Sequence, residues 1–92
     1  MSELDKLEAY LRANNFEYVR FDKYENALCN QMHKIVVNKD GVYQWDAICH
    51  YGSYGYEQGL LEIYGNIVTE EDGDSVVGWL TAEDVIKRIA KE

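Results

Sequence analysis

Ninety-two residues carry 17 acidic against 9 basic side chains, for a net charge of −8, which leaves room for one domain with a single core and little margin. Hydrophobic residues make up 47 % of the chain, too many for disorder despite the charge. The acidity excludes direct binding to nucleic acid or to anionic lipid, because phosphate recognition needs lysine and arginine to displace counterions.

The charge is uneven. Residues 1–46 are net −2 and residues 47–92 net −6; between Lys39 and Lys87 there is no lysine or arginine, while ten carboxylates fall there. Two cysteines are too few for a disulfide framework, no apolar run approaches the roughly 20 residues of a membrane span, and no hydrophobic leader opens the chain. A cytoplasmic protein with reduced thiols is the expectation.

Leu4, Leu7 and Leu11 recur at helical spacing behind Ser2-Glu3-Leu4-Asp5, a capping box with Asp in place of Glu or Gln, so a helix is predicted from Glu3 to Ala13, stopped at Asn14-Asn15. Alternation from Phe16 to Lys23 then predicts a strand, with Val19 and Phe21 on one side and Tyr18 and Arg20 on the other. Two more strands, 27–38 and 42–51, flank Asn38-Lys39-Asp40-Gly41, which reads as a type I turn with a glycine bulge. That loop pairs Val37 with Tyr43, Ile35 with Trp45 and His33 with Ala47 on an apolar face, and Lys34 with Asp46 on the other.

From Tyr56 the apolar positions Leu60, Ile63, Tyr64 and Ile67 fit a helical face, with Ser53 as cap, Gly59 weakening the helix and Gly65 ending or bending it. Thr69 to Ser75 is a polar loop. Thr81-Ala82-Glu83-Asp84 opens the last helix as a capping box, with Lys87, Arg88 and Lys91 toward its negative end. The expected fold is one α+β domain over residues 1–92, in the order α-β-β-β-α-α, with a three-stranded antiparallel sheet packed against helices and with Trp45 and Trp79 in its core.

Cys29, His33, Cys49 and His50 are the residues available for a zinc site or a thiol nucleophile, yet neither half holds a Cys-x-x-Cys or His-x-x-x-His unit; no metal, cofactor or catalytic residue is assigned. The acidic loop 70–75 lacks the frame of a calcium loop, and Glu57 beside the glycines at 52, 55 and 59 opposes an anion there. The segment 50–57 instead places Tyr51, Tyr54 and Tyr56 among two glycines. Two readings stand: a contact surface of rigid rings beside adaptable backbone, or a turn that needs glycine dihedrals with its rings folded onto the domain.

Residues 45–62, from Trp45-Asp46-Ala47 to Gly59-Leu60-Leu61-Glu62, followed by Gly78-Trp79-Leu80-Thr81-Ala82-Glu83-Asp84-Val85, resemble short uncharacterised proteins encoded by phages and prophages of Gram-positive bacteria. That resemblance carries no activity. Element order and acidity are also similar to those of a small prophage anti-CRISPR inhibitor of Cas9, which implies carboxylates that imitate phosphates before the arginines of a DNA-reading surface. The expected function is a non-enzymatic inhibitor in a bacterial host cell that presents a DNA-mimicking face to a basic protein, a CRISPR effector nuclease among the candidates. Its partner-binding residues are Tyr51, Tyr54, Tyr56, Glu57, Glu62, Glu70, Glu71, Asp72 and Asp74. The alternative is a self-associating structural or assembly module, a homodimer built on the sheet face or the tyrosine loop.

Overall fold

A computed structural model of the chain describes residues 1–25 and 30–90. Helix α1 (Glu3–Ala13) precedes strands β1 (Glu17–Glu25), β2 (Asn30–Lys39), β3 (Val42–Ile48), β4 (Leu61–Gly65) and β5 (Val76–Leu80), and helix α2 (Ala82–Ala90) follows them. The strands form one antiparallel sheet in the order β1-β2-β3-β4-β5. Both helices lie on one face, over Ile35, Val37, Trp45, Ala47, Leu61 and Ile63, and contribute Leu4, Leu7, Leu11 and Val85 to the same core. Among the described residues, no helix is long and apolar enough to cross a membrane.

The helix ends follow their sequence signals. Ser2 Oγ accepts the Asp5 N–H at 3.0 Å and Asp5 accepts the Ser2 N–H at 3.1 Å; Thr81 and Asp84 form the same reciprocal pair at 3.1 and 3.0 Å. Asn15 takes a left-handed φ of 59° where α1 stops. Glu3 joins the helices by accepting the Ala82 N–H at 2.8 Å, and this backbone donor, then Lys6, holds its carboxyl below the ordinary range.

The three-stranded sheet and the α-β-β-β-α-α order are overturned. The predicted helix from Tyr56 is a single 3-10 turn (Tyr56–Gln58) followed by β4, and the stretch before Thr81 is β5. Apolar spacing at 60, 63, 64 and 67 cannot separate the two outcomes, but backbone dihedrals can. Gly55, Gly59 and Gly65 have φ of 90°, 71° and 111°, which no right-handed helix contains. Within β4, Leu61 and Ile63 are fully buried while Tyr64 is exposed, the alternation of a strand covered on one face.

The β2–β3 hairpin also differs. Its loop is the two-residue Asp40-Gly41, both at positive φ (52° and 79°), so Lys39 pairs with Val42 and Asn38 with Tyr43. A bulge at Gln44 then resets the ladder to Val37–Trp45 and Ile35–Ala47. The core set of Ile35, Val37, Trp45 and Ala47 survives, because a shift of two residues preserves the face. Tyr43 does not stay with it: on the far side of the bulge it points to the other face, where its hydroxyl donates to Asp46 at 2.9 Å. Lys34 stands opposite Ile48 rather than Asp46. The start of the predicted second strand, with Cys29, lies outside the described residues.

Candidate contact surface

The connection from β3 to β4 carries the tyrosine-glycine segment. Ser53 closes its first turn, donating its N–H to the His50 carbonyl at 2.8 Å and accepting the His50 N–H on Oγ at 3.1 Å. It therefore caps no helix. Leu60 and Gln58 both donate to the Gly55 carbonyl, at 2.9 and 3.1 Å, folding the segment back on itself.

The segment then docks on edge strand β5. Tyr54 donates its N–H to Glu62 Oε1 at 3.1 Å and accepts the Trp79 N–H on its carbonyl at 3.3 Å. A Cβ at Gly78 would collide with Tyr54 Cβ, and one at Gly55 would lie 2.9 Å from Leu60 Cβ and 3.1 Å from Trp79 Cα. Both positions are glycine because the chains approach too closely for a side chain. Trp79 is held at φ 55°, where a bulky side chain is a genuine outlier, and its ring stacks on Tyr54 with centroids 5.1 Å apart and planes at 20°.

Trp79 is 58 % exposed, Tyr54 52 % and Tyr51 60 %. The assignment of Trp79 to the core is thus corrected; Tyr54 is folded onto the domain, and its stack with Trp79 faces solvent. Tyr51 and Tyr56 meet edge to face at 5.8 Å, and the four rings with Glu57 and Gln58 line a depression of about 460 Å³. Trp79 carried no distinguishing signal in sequence, since an isolated tryptophan between apolar residues reads as core.

The remaining predicted residues do not join this group. Glu70, Glu71, Asp72 and Asp74 sit in the β4–β5 connection, at the opposite end of β4, whose five residues span about 17 Å. Glu70, Glu71 and Asp74 are exposed there. Asp72 has a structural partner instead: Arg88 forms a two-pronged ion pair with it at 2.8 and 2.9 Å and donates to the Ile67 carbonyl at 3.0 Å. That guanidinium, and then the Thr69 N–H, hold the Asp72 carboxyl far below its ordinary range. Glu62 lies on the uncovered face of the sheet, tied to the Tyr54 backbone.

A polar network under α1 had no sequence signature, because its members come from three elements. Arg20 Nη1 donates to Asp5 at 2.7 Å and to Glu8 at 3.0 Å, its Nε donates to Asp22 at 3.1 Å, and His33 Nδ1 meets Asp22 at 2.6 Å. His50 Nδ1 accepts the His33 N–H at 3.0 Å, and burial, then Lys34 and His33, lower its pKa. Burial raises that of Cys49, which keeps its thiol protonated. Among the described residues, no three His, Cys, Asp or Glu side chains are grouped to hold a metal ion. Comparison with protein-family models, with curated proteins and with solved structures finds no match to the chain.

Proposed function

We propose that the chain is a non-enzymatic binding protein whose contact surface is centred on the Tyr54–Trp79 stack, with Tyr51 and Glu57 at its rim. The observation that carries the reading is Trp79, a large aromatic held in a left-handed backbone conformation and left 58 % exposed. Strain of about 1–3 kcal/mol at such a residue persists only where the surroundings enforce it, and it concentrates at sites of recognition. Exposed, rigid tryptophan and tyrosine are also the side chains that dominate protein interfaces.

The partner is a basic protein. Glu57 and Glu62 flank the stack, and the stretch between residues 39 and 87 that builds it carries no lysine or arginine. The sequence resemblance extends the reading to a mobile element whose partner is a nucleic-acid-binding protein of the bacterial host, such as a CRISPR nuclease. A partner that also engages Glu70, Glu71 and Asp74 must reach both ends of β4.

Affinity capture from a Gram-positive host lysate at low and moderate salt, with wild type beside Trp79→Gly, tests this. Trp79→Gly relieves the left-handed strain and loses the stack, so its stability is expected within about 1 kcal/mol of wild type by thermal denaturation. The captured partner is expected to be basic, to be released as salt rises, and to bind the variant at least about ten-fold more weakly. Equal capture by the variant at every salt concentration would sink the reading.

A further inference from the structure

Four aromatic rings meet where the tyrosine-glycine segment docks on β5, and they line one depression in two pairs. Tyr54 and Trp79 are nearly parallel, at 20°, whereas Tyr51 and Tyr56 stand at 74° to each other. Stacking on Tyr54 uses one face of the indole, and the 58 % exposure of Trp79 leaves the other to solvent. The wall is also fixed in advance. The Trp79 N–H is held by the Tyr54 carbonyl, the Tyr54 N–H by Glu62, and Gly78 leaves no room for Tyr54 to shift inward. A surface ordered before contact loses little freedom when a ligand arrives.

The charge of the lining is of one sign. Glu57 is its charged side chain, and no lysine, arginine or histidine stands with it among the described residues. The faces of aromatic rings carry the negative part of the ring quadrupole, so rings and carboxylate together attract a cation and oppose an anion.

We propose that the depression is an aromatic cage for a single arginine side chain of the basic partner. This inference rests on the contact surface proposed above and names what enters it. The planar guanidinium lies against the open face of Trp79 and donates N–H groups to the Glu57 carboxylate, while its apolar stem covers the tyrosine rings. Arginine is selected over lysine because a guanidinium is flat and weakly hydrated and can stack and donate at once. An ammonium is a strongly hydrated point charge that cannot stack.

Titration of the full chain with a capped Gly-Arg-Gly peptide at constant ionic strength, followed by the two indole N–H signals in NMR, tests the cage. The Trp79 signal is expected to shift and saturate with a Kd of about 1–10 mM, while that of Trp45, 3 % exposed, stays in place. The matching lysine peptide should bind at least about three-fold more weakly, and a citrulline peptide, which keeps the planar shape without the charge, at least about five-fold more weakly. Glu57→Gln and Tyr51→Leu should each weaken arginine binding about three-fold or more. Both positions are exposed, and an unchanged unfolding temperature confirms that each variant is folded. A Trp79 signal that does not respond up to about 50 mM peptide, a lysine or citrulline peptide bound as tightly as arginine, or a Glu57→Gln variant that binds as wild type does would each overturn the proposal. Capture of a basic partner that Trp79→Gly loses, beside a silent peptide titration, would remove the cage and keep the contact surface; arginine binding beside equal capture by Trp79→Gly would do the reverse.

Discussion

Gly65→Ala is expected to lower the stability of the fold by about 4 kcal/mol, a backbone term and a packing term of roughly 1–3 kcal/mol each. Gly65 pairs with Trp45 at the end of β4 and has φ 111°, and an added Cβ would lie 2.6 Å from both the Gln44 carbonyl oxygen and Trp45 Cα. Those are atoms of β3 in the middle of the sheet, so neither can move aside without breaking the ladder. For a domain of this size the loss corresponds to a fall in Tm of roughly 15–30 °C. Gly73→Ala supplies the control: φ is 73° there but nothing lies within 4 Å of the added atom, and the cost should stay near 1 kcal/mol. Equal Tm values for the two variants would show that β4 does not run against β3 in this register.

Arg20→Met is expected to cost about 2 kcal/mol at pH 7 and to reverse the acid limb of the stability curve. In the wild type the Arg20 guanidinium, then the Ser2 cap, hold the Asp5 carboxyl down to about 2 against an ordinary 3.8. Asp22 is lowered as well, by His33 first and Arg20 second. Carboxyls depressed in the folded state contribute stability that is complete above their unfolded values, near pH 4, and that is lost as pH falls toward 2. Without the guanidinium, Asp5, Glu8 and Asp22 lose the cation they share and repel one another, and protonating Asp5 and Asp22 relieves that repulsion. The variant should therefore gain stability relative to the wild type as pH drops from 7 to about 4.5, the loss from the lowered His50 below its ordinary 6.5 being common to both. The cost stays below that of a fully buried pair because Asp5 and Asp22 are about 40 % exposed. Urea titrations at several pH values measure both limbs; a variant curve parallel to that of the wild type would show that the network carries no charge coupling.

Sequence patterns were reliable where the interaction is local. The capping boxes at Ser2 and Thr81 and the Asn15 stop depend on residues three or four apart, and each forms as its residue types require. The apolar face of the β2–β3 hairpin was legible too, since an error of two residues in register leaves every side chain on its own face. Tyr51, Tyr54, Tyr56 and Glu57 were legible as one cluster because they are contiguous.

Legibility failed where two patterns shared the same positions. Leu60, Ile63, Tyr64 and Ile67 fit a helical stripe, and the positive φ values of Gly55 and Gly65 that exclude a helix accompany close approaches to β5 and β3. The grouping of the acidic residues failed for a related reason. Glu57 and Glu70 are near in sequence, but a strand between them carries them to opposite ends of the sheet.

What the sequence by itself determined is the mix of helix and strand, the acidic second half, the ends of both helices and the faces of the β2–β3 hairpin, all properties of composition or of spacing over a few residues. Only the tertiary structure decided that the sheet has five strands, that Asp72 belongs to Arg88, and that Trp79 stands exposed on Tyr54. Those outcomes depend on backbone approaches between segments far apart in the chain, at Gly55, Gly65 and Gly78, and short-range periodicity holds no record of which distant strand a glycine will meet.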